Sequence, residues 1–211
     1  MSNQDQSAAI VHLDDMTALH VAGEDATKFL HAQFTNDLAN LPVNQWQYTG
    51  YCTPKGRLLS FMVIARTGDN SYQLIMPADV ADSILPRLRM FVMRDDVTIV
   101  VQDNERGITG ILADPTILKE HGLDCESEPG HLKALPGDSL IMTLDSEPGR
   151  YLYLSGRDQI SKISLPATDR DTWTSLDISA GIPAVVTATQ EAFVPQMVNL
   201  DLIGAVNFKK G

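Results

Sequence analysis

The spacing of apolar positions changes several times along the chain, and each change marks an element. Ile10–Leu13 and Thr17–Val21 are short strand-like runs on either side of the turn-forming pair Asp14-Asp15, a pattern that predicts a β-hairpin. From Asp25 the period becomes helical. Ala26, Phe29, Leu30, Phe34 and Leu38 share one face, Glu24 and Asp25 stand where a helix start favours negative charge, and Pro42 lies beyond the end. This predicts an amphipathic helix from about Asp25 to Asn40 that packs Phe29, Leu30 and Phe34 inward. Trp46–Thr53, Arg57–Ala65 and Ser71–Met76 read as strands joined by turns at Pro54-Lys55-Gly56 and Thr67–Asn70. Ala78–Met93 is helical again, with Pro86 predicted to kink or split it.

The strand pattern then restarts at Val97–Val101 and Ile108–Leu112, followed by a short helix near Thr116–His121 and a hairpin from Ser139–Leu144 and Tyr151–Leu154. Asp124–Pro136, with two prolines and Gly130, reads as loop. Strand runs interrupted by single helices predict an α+β fold of two similar lobes, each an antiparallel sheet with packed helices. The expected division is a first lobe over 8–103, a second over 104–168 and a return segment over 169–211.

Composition narrows the function classes. Sixteen Lys and Arg against 27 Asp and Glu give a net charge of -11, which opposes attraction to phosphate backbones or anionic lipid. No direct high-affinity grip on nucleic acid and no membrane partner are expected. The sequence has no apolar run of about 18 residues, and its first residues lack the basic and apolar regions of a signal peptide, so the cytoplasm is the expected compartment. Cys52 and Cys125 are far apart and the five histidines are scattered, so no spacing suggests a metal site.

Three motifs, in order, carry a family resemblance. They are Phe29-Leu30-His31-Ala32-Gln33-Phe34-Thr35-Asn36-Asp37, Tyr51-Cys52-Thr53-Pro54-Lys55-Gly56-Arg57-Leu58-Leu59, and the C-terminal set of Ala180–Pro183, Phe193–Leu202 and Phe208–Gly211. Together they resemble the YgfZ family of folate-binding proteins. That resemblance implies an aminomethyltransferase-like (GcvT-like) fold that binds tetrahydrofolate or a derivative, with the family's C-terminal barrel outside these residues. It also implies that a cysteine, an aromatic residue and Gly-Gln-Glu would follow Gly211, so the family's reactive cysteine has no counterpart among these positions. The associated role is upkeep of iron–sulfur enzymes and, indirectly, tRNA modification, with an iron–sulfur protein or assembly factor as partner.

Residue by residue, the resemblance puts Trp173, eight positions before Gly181, where the family has a folate-contacting tryptophan, and an indole offers a flat face for an aromatic ligand. A second family tryptophan is replaced by Met16, whose thioether packs on rings less directionally. Gln196 and Asn199 offer amides suited to a pterin edge, and Lys55 and Arg57 form a cationic tip suited to an anionic ligand tail or partner. Each has a plainer alternative: Trp173 as core, Phe193–Leu200 as a packed extended segment, and the Pro-Lys-Gly stretch as an ordinary tight turn. In the catalytic relatives an Asp pair contacts the folate near its one-carbon centre. The corresponding positions here are Ser60 and Phe61, which supply no negative charge for a developing cation, so classical aminomethyl transfer is not expected. Two other readings stay open: a folate-dependent one-carbon transferase or demethylase with a different constellation, and a non-catalytic interaction module.

Overall fold

The computed structural model describes residues 8–102, 106–146 and 149–210. The chain divides into two compact units that interleave in sequence: residues 1–14 with 103–175, and 15–102 with 176–211.

The unit built mainly from 15–102 holds a five-stranded sheet. Its strands are β2 (Met16–Ala22), β3 (Gln45–Cys52), β4 (Leu58–Gly68), β5 (Ser71–Pro77) and β6 (Thr98–Val101), following β1 (Ala9–His12) in the chain. The order is β3-β4-β5-β2-β6, with antiparallel pairing throughout. Two helices, α1 (Ala26–Gln33) and α2 (Ala78–Val92), cover one face. Phe29, Leu30, Phe34, Val80, Ile84 and Leu88 pack with Leu19, Met62, Ile64 and Leu74 in one buried core.

The other unit holds β1 with β7 (Arg106–Leu112), β8 (Leu132–Leu135), β9 (Ser139–Ser146) and β10 (Gly149–Gly156), in the antiparallel order β1-β7-β10-β9-β8. Its helices are α3 (Pro115–Glu120), α4 (Arg157–Ile160) and the start of α5 (Arg170–Ser179). Ile111, Leu118, Ile141, Tyr151 and Ile163 form its core. The α+β class with two antiparallel sheets is as expected.

Four local expectations are corrected. The strands around Asp14-Asp15 do not pair with each other. β1 instead pairs with β7, Ile10 facing Ile111, while β2 lies between β5 and β6. Ala9, Ile10 and Val11 are all buried, so this strand is better satisfied beside a long strand than in an isolated two-stranded ribbon. Residues 8–14 therefore belong with the second sheet and 176–211 with the first, rather than following the continuous division at 103 and 168.

α1 is shorter than predicted. Phe34 turns extended (φ -104°, ψ 162°) and forms a bridge with Tyr51, so Phe34 and Leu38 reach the core from irregular chain rather than from a helix face. α2 runs unbroken through Pro86. Pro86 and Asp82 are both exposed, so the carbonyl that loses its N–H partner four residues back is on the solvent side. Finally, β8 lies within the stretch read as loop, where Leu132 and Ala134 pair with Met142 and Leu140 as a four-residue edge strand.

Candidate functional site

The Pro54–Arg57 segment is the tip between β3 and β4. Thr53 N–H donates to the Arg57 carbonyl at 2.8 Å, Gly56 N–H to the Thr53 carbonyl at 2.9 Å, and Arg57 N–H to Thr53 Oγ1 at 3.2 Å. Gly56 has φ +75° with open space where a Cβ would stand, so only backbone conformation requires glycine there. Gly56→Val is expected to destabilise by about 1 kcal/mol or more, and Lys55→Ala to leave stability nearly unchanged, as urea titration would show. Equal effects of the two would contradict the turn.

The two cations of this tip have different roles. Both are exposed, and Arg57 donates from Nη1 to the Ala192 carbonyl at 3.0 Å. The neighbouring backbone reinforces that contact: Leu58 N–H reaches the Phe193 carbonyl at 2.8 Å, Glu191 N–H the Leu58 carbonyl at 2.7 Å, and Gln190 Nε2 the Leu59 carbonyl at 2.7 Å. The Pro-Lys-Gly-Arg motif thus holds the return segment through Arg57, with Lys55 exposed at the tip.

The Phe34–Asp37 motif holds the same segment further along. Thr35 Oγ1 donates to the Ala205 carbonyl at 2.8 Å and accepts from Gly50 N–H at 2.8 Å. Asn36 Nδ2 donates to the Tyr48 carbonyl at 2.8 Å and the Gly204 carbonyl at 2.7 Å, and Asn207 N–H donates to the Thr35 carbonyl at 3.0 Å. Lys210 Nζ donates to the Phe34 carbonyl, and burial pulls its pKa below the usual lysine range while Asp37 opposes that shift. The close approach has a steric signature at Gly50, where a Cβ would meet Leu58 and Leu200 at 2.9 and 3.0 Å. Thr35→Val removes one hydroxyl between two backbone partners and is expected to cost about 1–3 kcal/mol, while Thr35→Ser restores most of it. A valine variant as stable as the serine one would remove this contact from the account.

Gln196 and Asn199 lie on and just after a 3₁₀ turn at Pro195–Val198. Both are exposed; Asn199 adopts a left-handed conformation (φ 63°) and its Nδ2 reaches the Gly181 carbonyl at 3.4 Å. Met16, half-buried, begins β2 opposite Pro77. Ser60 is fully buried, and Phe61 stacks on Tyr48 with centroids 5.3 Å apart. Burial pushes the Cys52 thiol up to about 11, so it stays protonated and unreactive near neutral pH.

Trp173 belongs to the other unit, and the five remaining candidates belong to this one. Its indole is 4% exposed and lies across β7 at Gly110, where a Cβ would fall 2.3 Å from Cζ3. The Arg150 guanidinium sits over the ring at 5.0 Å from its centroid. Arg150 is 1% exposed and its Nε lies 2.9 Å from an Asp145 carboxylate oxygen, the two residues facing each other across β9 and β10. Sequence reading missed Arg150, although an Asp and an Arg flanking a short strand connection is a readable cross-strand pairing. Nearby, burial pushes the Tyr151 hydroxyl up to about 12.

Residues 2–111 match the family described as the GCVT N-terminal domain. The chain belongs to that family. The resemblance to YgfZ holds over nearly its whole length: it is 24% identical, over 99% of its residues, to the tRNA-modifying protein YgfZ of Blochmanniella pennsylvanica (strain BPEN), covering 66% of that protein. It is likewise 27% identical over 96% of its residues to the protein of the same name from Edwardsiella ictaluri (strain 93-146), covering 63% of it. The chain thus spans just under two thirds of the length of these curated relatives. Among solved structures, glycine cleavage system aminomethyltransferase T from Bartonella henselae superposes with TM-score 0.67 at 17% identity, over 74% of this chain and 45% of that one. The heterotetrameric sarcosine oxidase from Corynebacterium sp. U-96 superposes with TM-score 0.53 at 11% identity, over 86% of this chain and 89% of that one. These superpositions establish the GcvT-like fold. No helix among the described residues is long and apolar enough to cross a membrane.

Proposed function

We propose that this chain is the folate-binding portion of a cytoplasmic accessory protein that binds tetrahydrofolate or a derivative and supports iron–sulfur enzymes, and through one of them tRNA modification. The observation that carries this reading is the likeness to tRNA-modifying protein YgfZ across 96% to 100% of the chain. The fold shared with an aminomethyltransferase supports the folate part.

The residue chemistry fits such a ligand. Lys55 is an exposed cation suited to an anionic glutamyl tail, and Gln196 and Asn199 carry exposed amides suited to a pterin edge. Met16 offers a half-buried thioether, while Arg57 contributes chiefly by fixing the return segment on which Gln196 and Asn199 stand. Tetrahydrofolate, when bound, brings its own capacity to carry a one-carbon unit. By the family resemblance, the positions of the catalytic relatives' Asp pair are held by Ser60 and Phe61, which offer no carboxylate, and this supports a binder rather than an aminomethyltransferase. A net charge of -11 favours a protein partner over direct contact with tRNA.

Tryptophan fluorescence tests the ligand assignment. Trp46 and Trp173 are the only tryptophans, so a tetrahydrofolate-dependent quench that disappears in Trp173→Phe places the ligand near Trp173. A quench retained in full by that variant removes Trp173 from the site.

A further inference from the structure

Where α1 ends, a half-buried histidine stands in a polar cluster that the folate reading does not use. His31 Nδ1 lies 3.2 Å from the backbone nitrogens of both Leu38 and Ala39, which donate to it, and 3.4 Å from Asp37 Oδ1. Two N–H donors aimed at one ring nitrogen fix the neutral tautomer, with its proton on Nε2 and the Nδ1 lone pair shared between them. A proton added at Nδ1 has no place in that arrangement. It turns the acceptor into a donor, expels both amides and faces the Asp37 carboxylate instead.

Asp37 is already in use. Its carboxylate accepts from Asn40 Nδ2 at 2.7 Å and from Asn40 N–H at 3.2 Å, and the Asn40 side chain chiefly holds its pKa below the usual carboxylate range, against the opposing effect of burial. It is therefore ionised throughout the range in which histidines usually titrate. The same carboxylate favours the charged form of Lys210, whose half-buried ammonium donates to the Phe34 carbonyl while burial disfavours its charge. One carboxylate thus acts on both the imidazole and the ammonium that pins the end of the return segment. Around this cluster, Lys28, one turn earlier on α1, lies 3.6 Å from Asp95 and 4.0 Å from Asp25, and Lys209 is exposed. From β3, the neutral Gln47 donates from Nε2 to the Asp37 carbonyl at 3.0 Å.

We propose that His31 is a proton-operated switch for the end of the return segment. Neutral, it holds the amides of Leu38 and Ala39 and leaves Asp37 to Lys210; protonated, it draws Asp37 to itself, adds a second positive charge to the cluster and loosens the Lys210 anchor. The step takes up one proton from water at Nδ1 and breaks no covalent bond. Anchoring is complete on the alkaline side of the His31 titration and weakened on the acid side.

NMR of the isotope-labelled full-length protein from about pH 8 to pH 5 tests it, since that range spans the usual histidine titration. The amide signals of Leu38 and Ala39 are expected to move along the same curve as the His31 ring. The amides of Asn207 and Lys209 report on the anchored end, donating to the Thr35 carbonyl and to Asn207 Oδ1. Their protection against exchange is expected to fall about tenfold across that curve, beyond the intrinsic effect of pH. His31→Asn, whose side-chain oxygen can accept from the same amides and takes up no proton, is expected to keep that protection constant. Asp37→Asn is expected to leave it low at both ends of the range, because Lys210 then lacks its counter-charge at any pH. A His31 titration that leaves Leu38 and Ala39 unmoved, or an equal fall in protection in His31→Asn, would overturn the proposal.

Discussion

Replacing Trp173 by alanine is expected to destabilise the protein by about 3–5 kcal/mol, the range for deleting a buried aromatic ring. The indole fills the space over Gly110 and lies under the Arg150 guanidinium, so its removal opens a cavity and leaves a buried cation without its aromatic face. Urea unfolding followed by circular dichroism measures the loss, and amide exchange along β7 and β10 locates it. A loss below about 1 kcal/mol would mean that the ring is not integral to this core. The same expectation governs the ligand experiment, because an alanine variant confounds lost stacking with lost structure. Trp173→Phe keeps most of the buried area and is therefore the variant on which a change in folate affinity can be interpreted.

The second large effect is expected at Gly110. A methyl group there would stand 2.3 and 2.4 Å from two carbons of the Trp173 ring, and a rigid ring has no flexible end to swing aside. Gly110→Ala is therefore expected to cost about 1–3 kcal/mol as an overpacked site. In a Trp173→Ala background the same substitution is expected to be nearly neutral, because the cavity accommodates the methyl, giving a double-mutant coupling of at least about 1 kcal/mol. Additive losses in this cycle would contradict the packing of the indole on β7.

Elements whose partners are close in sequence were legible from the chain alone. The β3–β4–β5 meander, the β9–β10 hairpin and the start of α1 all follow from local period and turn residues, and each pairs with its sequence neighbour. β1 departs from the expected hairpin because its partner β7 lies about a hundred residues away, and a non-local pairing leaves no local mark, whereas Asp14-Asp15 imitates a hairpin turn. The end of α1 differs from the expected one for a related reason. Phe34 and Leu38 keep helical spacing, but Thr35 and Asn36 spend their hydrogen bonds on Tyr48, Gly50, Gly204 and Ala205, and the last two lie nearly 170 residues on.

The candidate site shows the same limit. Residue types announce Lys55 and Arg57 as an exposed cationic pair, and only the fold shows that Arg57 is bound to the return segment. Asn199 reads as a ligand amide, and the fold adds a backbone duty, closing a 3₁₀ turn with its side chain toward Gly181. The cross-strand pairing of Asp145 with Arg150 is readable from the chain, but the burial of Arg150 is not, because an arginine beside a strand connection ordinarily projects into water. Here pairing with Asp145 and stacking on Trp173 hold it inside.

The two motifs that carry the family resemblance in the first half of the chain meet the third through backbone hydrogen bonds within one unit. Hydrogen bonds fix 190–193 against Arg57–Leu59 and 204–207 against Thr35 and Asn36, and Gln196 and Asn199 lie between these two anchored stretches.

The central claim is that the protein binds tetrahydrofolate. Calorimetric titration of the full-length protein with tetrahydrofolate, under reducing and anaerobic conditions, tests it directly. The account predicts saturable one-to-one binding that weakens in Lys55→Ala, a variant expected to keep nearly the parent's stability, and a titration showing no heat of binding to the folded wild-type protein would contradict it.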